Sequence, residues 1–448
     1  MKSSAEPQPI ALLQLWPSPS ETVEGLGKAL RAGERTSVSI VEQCLQQIDR
    51  WEPQIHAWVH VDREPALARA RELDQDAQAG RWRGPLHGIP IGIKDLVDLA
   101  GQPTAAGSKL LARTVAQRDA PLIERLRNAG AIILGKTVTT QFACFDPPVT
   151  RNPWNTGRTP GGSSSGSAAA VATGMCLAAI GSQTGGSITR PASYCGVAGC
   201  KPTIGRVSTE GVFPAAHTLD HPGPITRCVA DLAILVDVLE GTSPGSCEQI
   251  SLVPAARTPR IGRLYGLFDE RAEPAMKTAF ECALDRLRRA GASICDAPLP
   301  PEFREVLVSH RRIMVYEIGE VHARRYEQHP EDYLPGMRQL IEESRGITPA
   351  VYGVALEHRR RLQEAIAATF SDVDLLACPA TTGPAPDPST TGDPSFNSPW
   401  SFTGLPTVSF PISLTPDGMP LAIQLVGRFG EESPLFAAAL WCESAIRE

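Results

Sequence analysis

Apolar residues recur every three or four positions over Ser39 to Trp51 and Glu64 to Gln78, so both segments are expected to form amphipathic helices, with Ser37 or Ser39 available as the first cap. Ile89 to Ile93 is a short β-branched run that ends at the charged pair Lys94-Asp95, the pattern of a buried strand. A helix capped by Asp119 and stopped at Gly130 then leads into the strand AIILGK. Further on, helices are expected over Ala168 to Ala172, Asp231 to Glu240, Glu273 to Ala290, Phe303 to Glu327, Ala350 to Phe370 and the C-terminal stretch. Strands are expected at Leu177 to Ile180, RIGRLYG, ASICDA, Val373 to Cys378, Thr407 to Ile412 and Leu421 to Val426. Strands separated by helices predict an α/β fold, a mixed and mainly parallel sheet with helices on both faces, in which ligands sit beyond strand ends.

The 448 residues are expected to form one domain, 1–448, with a subdomain boundary near 241–258, where a polar Ser/Pro/Gly stretch interrupts the pattern. A loop rich in Pro and Thr, Pro379 to Asn397, separates two of the late strands. The net charge is −6, with no long block of one sign, which excludes a mainly electrostatic hold on nucleic acid or an anionic membrane. No apolar stretch reaches the length of a membrane span, and the first residues lack the apolar core of a secretory signal, so a cytoplasmic enzyme is expected. The eleven cysteines include no CxxC pair and read as small, buried, reduced residues.

Between Asn152 and Gly211 the chain becomes rich in Gly, Ser, Thr and Ala, with no acid before Glu210. Small residues allow backbones to approach closely, and the segment reads as a compact core whose peptide groups face a ligand. GGSSSGSAAAVA (161–172) precedes a helix and GSQTGGSITRPA (181–192) follows a strand. Gly185 and Gly186 leave backbone donors uncovered beside Ser187, as an oxyanion hole requires. The phosphate-loop order Gly-x4-Gly-Lys-Ser/Thr is missing. No histidine neighbours these segments. His217 and His221 have helical metal-ligand spacing, but Pro222 spoils a helix there, and no metal is expected. Lys94, at the end of a buried run, is open to two readings: a salt-bridged strand-end residue, or a neutral amine acting as base.

Lys94 within GIPIGIKDLVDLAG, the GGSSSGSAAAVA run and GSQTGGSITRPASYCGVAGCKPTIGRVS together resemble the amidase signature family of serine amidohydrolases. They occur in that family's order and with its spacing, 24 residues from Ser163 to Ser187. The resemblance implies a catalytic set of Ser187 as nucleophile, Ser163 as bridging serine after a cis peptide, and Lys94 as base. It also implies an oxyanion hole at Thr184, Gly185, Gly186 and Ser187, and no cofactor.

The pattern is closest to malonamidase-like bacterial amidases. In that company Arg190 either holds a substrate carboxylate or ties down its loop, and Gln183 stands where some relatives carry Asp. The segment TTGDPSFNSPW implies a pocket wall, with Trp400, Phe402 and Gln424 as substrate contacts or, for the aromatics, core. Gln183, Arg190 and Gln424 are accordingly expected at the substrate. The implied reaction is hydrolysis of small amides, anilides or carbamates by a monomer or homodimer. The alternative is the glutamine-hydrolysing A subunit of an aminoacyl-tRNA amidotransferase, whose glutamine-handling C-terminal pattern is not evident here.

Overall fold

The computed structural model describes residues 14–241, 255 and 257–448. Most of the expected boundary near 241–258 therefore lies outside the described residues. Among the described residues eleven strands form one sheet: β1 (Trp58–Val61), β2 (Pro90–Lys94), β3 (Ile132–Thr137), β4 (Ala178–Gln183), β5 (Ala198–Lys201), β6 (His221–Thr226), β7 (Arg260–Arg263), β8 (Ser293–Asp296), β9 (Leu375–Pro379), β10 (Thr407–Leu414) and β11 (Pro420–Val426). Their order is β1-β3-β2-β4-β6-β5-β10-β11-β9-β7-β8. The fold is α/β with a mixed central sheet, as expected.

The expectation that parallel pairing dominates needs correction. Among the described residues β2 pairs in parallel with β3 and β4, and β7 with β8 and β9, while the other six pairings are antiparallel. Two causes are visible. The Asp417-Gly418 turn, with Gly418 at φ 80°, folds β10 and β11 into a hairpin. Strand β6 carries Pro222 and Pro224, which lack ladder donors and read as loop. It nevertheless runs the length of β4, and β5 joins it only at Ile225 and Thr226, beyond both prolines.

The helices follow the apolar periodicity more closely. Ser37–Ile55 buries Ile40, Val41, Cys44, Leu45, Ile48, Trp51 and Ile55, and its cap is Thr36, in a capping box with Ser39, rather than either serine. The helix Pro121–Asn128 begins after Ala120. Asp119 does not cap it; its carboxylate accepts from the Ala100 amide at 2.8 Å and from Arg127 Nε at 2.8 Å. The helices Thr189–Tyr194 and Ser398–Thr403 are too short to announce themselves by a repeating apolar pattern, whereas Val23–Arg31, which is also unexpected, buries Val23, Leu26 and Leu30 along one face. Of the ten described cysteines eight are buried, and Cys282 and Cys295 are exposed.

The Gly/Ser segment is a packed core. Every residue of the helix Ser165–Ala172 is buried. At Gly166 an added Cβ would sit 2.2 Å from the Ala57 carbonyl oxygen and 2.4 Å from the Val138 nitrogen, so only glycine lets this helix lie against the chain that follows β3. No helix among the described residues is long and apolar enough to cross a membrane.

Candidate active site

Strand β2 lies between two parallel neighbours, and all five of its residues are buried, so its last side chain, Lys94, is delivered into the interior. The ammonium nitrogen is within 2.7 Å of Ser163 Oγ, 2.9 Å of Ser182 Oγ and 3.3 Å of the Ser182 carbonyl. Burial pulls its pKa from 10.5 down to about 7, against the attraction of the Asp220 carboxylate, which holds it up. The peptide Gly162-Ser163 is cis.

Ser187 sits in the turn between β4 and the helix Thr189–Tyr194, and both it and Ser163 line one cavity of about 380 Å³. Four consecutive carbonyls of this turn are held by donors. Thr184 accepts from His310 Nε2 at 2.9 Å, Gly185 from Ser401 Oγ at 3.1 Å, Gly186 from the Arg190 amide at 2.9 Å, and Ser187 from the Ser164 amide at 3.2 Å. Among the described residues, no protein acceptor takes the amides of Gly185, Gly186 or Ser187. The row thus offers N–H groups beside a serine hydroxyl, which suits a developing oxyanion.

The remaining wall is largely apolar: Phe145, Leu307, Met314 and Ile318, the last three from the long helix Val306–Gln328. Its charged members are Arg190, Arg311 and the pair Arg271–Asp393, 3.6 Å apart. Arg190 is buried and donates through Nη2 to the Gly162 carbonyl at 2.9 Å and to Thr391 Oγ1 at 3.2 Å. Among the described residues, its Nε and Nη1 have no protein acceptor. It therefore ties down the cis peptide while bordering the cavity.

Two residues expected at the substrate are placed elsewhere. Gln183 is buried behind the turn, where Oε1 accepts from the Ile188 and Thr189 amides at 2.9 and 3.0 Å, and Nε2 donates to Ser401 Oγ at 3.3 Å. Gln424 is spent on the Phe396 carbonyl at 2.9 Å and on Asn397 Nδ2 at 3.2 Å. Neither lines the cavity, so both are corrected from substrate contacts to braces. Trp400 and Phe402 are core, Trp400 stacking on Phe268 with centroids 6.0 Å apart. His217 and His221 form no ligand pair. His221 is buried in β6, where its Nδ1–H donates to the Leu219 carbonyl at 2.6 Å, and His217 is exposed beside Glu317.

Sequence reasoning missed Ser182, Asp220, His310 and Ser401. Asp220 is buried; it accepts from Thr184 Oγ1 through one oxygen and from the Ala215 and Ala216 amides, at 2.8 and 3.1 Å, through the other. Burial raises its pKa to about 6 despite these donors. Ser182 stands within the quoted segment 181–192 without anything to single it out there, and no local pattern marks the other three, because each acts through a contact that only the folded chain creates.

Known proteins share this architecture. The family model described as Amidase matches residues 39–436. The A subunit of the glutamyl-tRNA(Gln) amidotransferase of Chloroflexus aggregans is 36% identical over 459 residues, covering 92% of this chain and 94% of the relative. An amidase of Pseudomonas putida is 36% identical over 449 residues, covering 95% and 96%. The solved peptide amidase of Stenotrophomonas maltophilia superposes with a TM-score of 0.82 at 31% identity, covering 95% of this chain and 97% of that one. With the family model spanning nearly the whole sequence and relatives of this identity in both sequence and structure, the chain belongs to the amidase signature family of amide-hydrolysing enzymes.

Proposed function

We propose that this chain is a serine amidohydrolase that cleaves the C–N bonds of small amides, anilides or carbamates through an acyl-enzyme on Ser187. The observation that carries the reading is the buried Lys94 amine, 2.7 Å from Ser163 Oγ, on the same cavity as Ser187. An amine with a pKa near 7 is a competent base at neutral pH.

Neutral Lys94 takes the Ser163 proton, Ser163 takes the Ser187 proton, and Ser187 Oγ bonds to the carbonyl carbon. The carbonyl oxygen becomes an oxyanion held by the amides from Thr184 to Ser187. As the C–N bond breaks, the proton returns along the same path to the leaving nitrogen, and the amine departs. Water then adds to the acyl-enzyme and loses a proton to the relay, and as the bond from the acyl carbon to Ser187 Oγ breaks, the relay returns that proton to Ser187 and the acid leaves. A carbamate substrate, its amine already gone, would release a carbonic acid half-ester, which loses carbon dioxide to leave the alcohol. Every step uses this chain's own groups and calls on no cofactor. The small-molecule substrate needs neither nucleic acid nor membrane, and the working unit is a monomer or homodimer. The mainly apolar wall suits an aliphatic or aryl acyl group.

One observation favours a second reading, the glutamine-hydrolysing component of an amidotransferase. Arg190 keeps two N–H groups without a protein acceptor and Asp393 borders the same cavity, a cation and an anion for the two charges of an amino acid. Purified protein incubated with a neutral acyl anilide, an aryl carbamate and glutamine, with Ser187→Ala as control, separates the two. Serine-dependent aniline release supports the stand-alone hydrolase, and the ratio of anilide to carbamate rates places it between amidase and urethanase. Ammonia from glutamine without aniline release favours the amidotransferase component.

A further inference from the structure

In a trans peptide the C=O of one residue and the N–H of the next point in opposite directions within one plane. A donor that fixes a carbonyl therefore also aims the following amide. At the turn after β4 this rule links three outward bonds to three inward donors. His310 Nε2 on the Thr184 carbonyl aims the Gly185 N–H, and Ser401 Oγ on the Gly185 carbonyl aims the Gly186 N–H. The Arg190 amide, on the Gly186 carbonyl, aims the Ser187 N–H. The third bond is the local i to i+4 contact at the start of a helix. The first two come from side chains far along the sequence.

We propose that His310 and Ser401 are positioning residues, which set the direction of the Gly185 and Gly186 oxyanion donors through the carbonyls behind them; the proposal rests on the hydrolase reading above. Glycine makes such external support necessary, since Gly185 and Gly186 have no side chains to restrict their peptide planes. The two supports are built for the task. His310 is buried on the helix Val306–Gln328, and because a carbonyl only accepts, its Nε2 carries the proton. Burial drives its pKa down to about 4, so the ring stays neutral and its tautomer stays fixed through the neutral range. Ser401, in the helix Ser398–Thr403, is held in its donating role because its oxygen accepts from Gln183 Nε2, leaving its own hydrogen for Gly185. Asp220 fixes the Thr184 side chain at the head of the same row.

The test uses His310→Ala, Ser401→Ala and their combination in the full chain, with His310→Gln as the variant that keeps an N–H donor. A donor that is present but badly aimed should lose part of the roughly 100-fold or greater loss seen on deleting one, so kcat should fall about 10- to 100-fold in each single variant. KM should stay within about twofold, because the ground-state carbonyl gains little from these amides. Amides and activated esters should lose rate equally, since both pass through the same oxyanion. A trifluoromethyl ketone, which forms a tetrahedral adduct with the serine, should lose affinity in proportion to kcat, while a non-reacting amide inhibitor should not. His310→Gln should recover part of the rate. An unchanged kcat in both alanine variants overturns the inference. So does a loss that appears in KM and in affinity for the non-reacting amide, which would make His310 an ordinary wall contact. If the wild type forms no Ser187-dependent adduct with the ketone, the hydrolase reading itself fails. If it does, and the variants keep their rates, only the positioning inference fails.

Discussion

Replacing Lys94 by Met should remove activity and raise stability at the same time. The folded chain holds this amine with a pKa near 7, whereas an unfolded chain returns it to about 10.5. Above pH 10.5 both states are neutral and the residue costs nothing on this account. As pH falls toward 7 the unfolded chain gains a proton that the folded chain refuses, so stability declines by about 1.4 kcal/mol per pH unit. Below 7 both states are protonated and the full cost, about 5 kcal/mol, is in place. Methionine fills a similar volume without a titrating group. It forfeits the contacts to Ser163 and Ser182, and two abandoned hydroxyls cost about 1–2 kcal/mol each, leaving a net gain of about 1–3 kcal/mol at pH 7. The assay is urea unfolding of wild type and variant from pH 6.5 to 10, read by the midpoint and slope. The difference should be largest near pH 7 and shrink as pH rises. A variant that is less stable than wild type by the same amount at every pH would refute the neutral-amine account.

The same titration should govern catalysis: kcat/KM should fall tenfold per pH unit below an acid limb near pH 7, and Asp220→Asn should move that limb to lower pH, because its carboxylate is what holds the Lys94 proton on. A profile flat from pH 5 to 9 would count against Lys94 as base. Ser163→Ala should slow amides far more than activated esters, the poorer leaving group needing the returned proton, as steady-state rates on a matched amide and ester pair would reveal. Gly166→Ala should destabilise the fold by about 3 kcal/mol or more, since its Cβ would meet backbone at Ala57 and Val138 that cannot swing aside, measurable as a lowered urea midpoint.

What could be read from the sequence follows the range of the interactions. Lys94, Ser163 and Ser187 stand in short, unusual segments, and the structure brings all three to one place. The helices with clear apolar periods were legible to within a few residues. His310 and Ser401 were not, because their partners lie 126 and 216 residues away and nothing near either marks it as polar support. Gln183 and Gln424 misled for the converse reason: both sit beside the site, but a buried amide has two ends to satisfy, and in each case backbone took one and a neighbouring side chain, Ser401 or Asn397, the other. Strand direction failed where prolines concealed β6 and where the hairpin of β10 and β11 entered a mixed sheet expected to be mainly parallel.

Among the described residues, the meeting of β5 and β10 joins the first six strands of the sheet to the last five through three residue pairs, Thr407 with Lys201, Val408 with Cys200 and Ser409 with Gly199. The serines and lysine come from one side of that seam, and most of the apolar cavity wall from the other. Cutting the chain in the connection before β7 would give two fragments, each with a raw strand edge and half a reaction vessel. Expressed separately, both would be prone to self-association along those edges. Expressed together, each edge is the other's template, so recovered turnover would report the reunion of the two pieces directly.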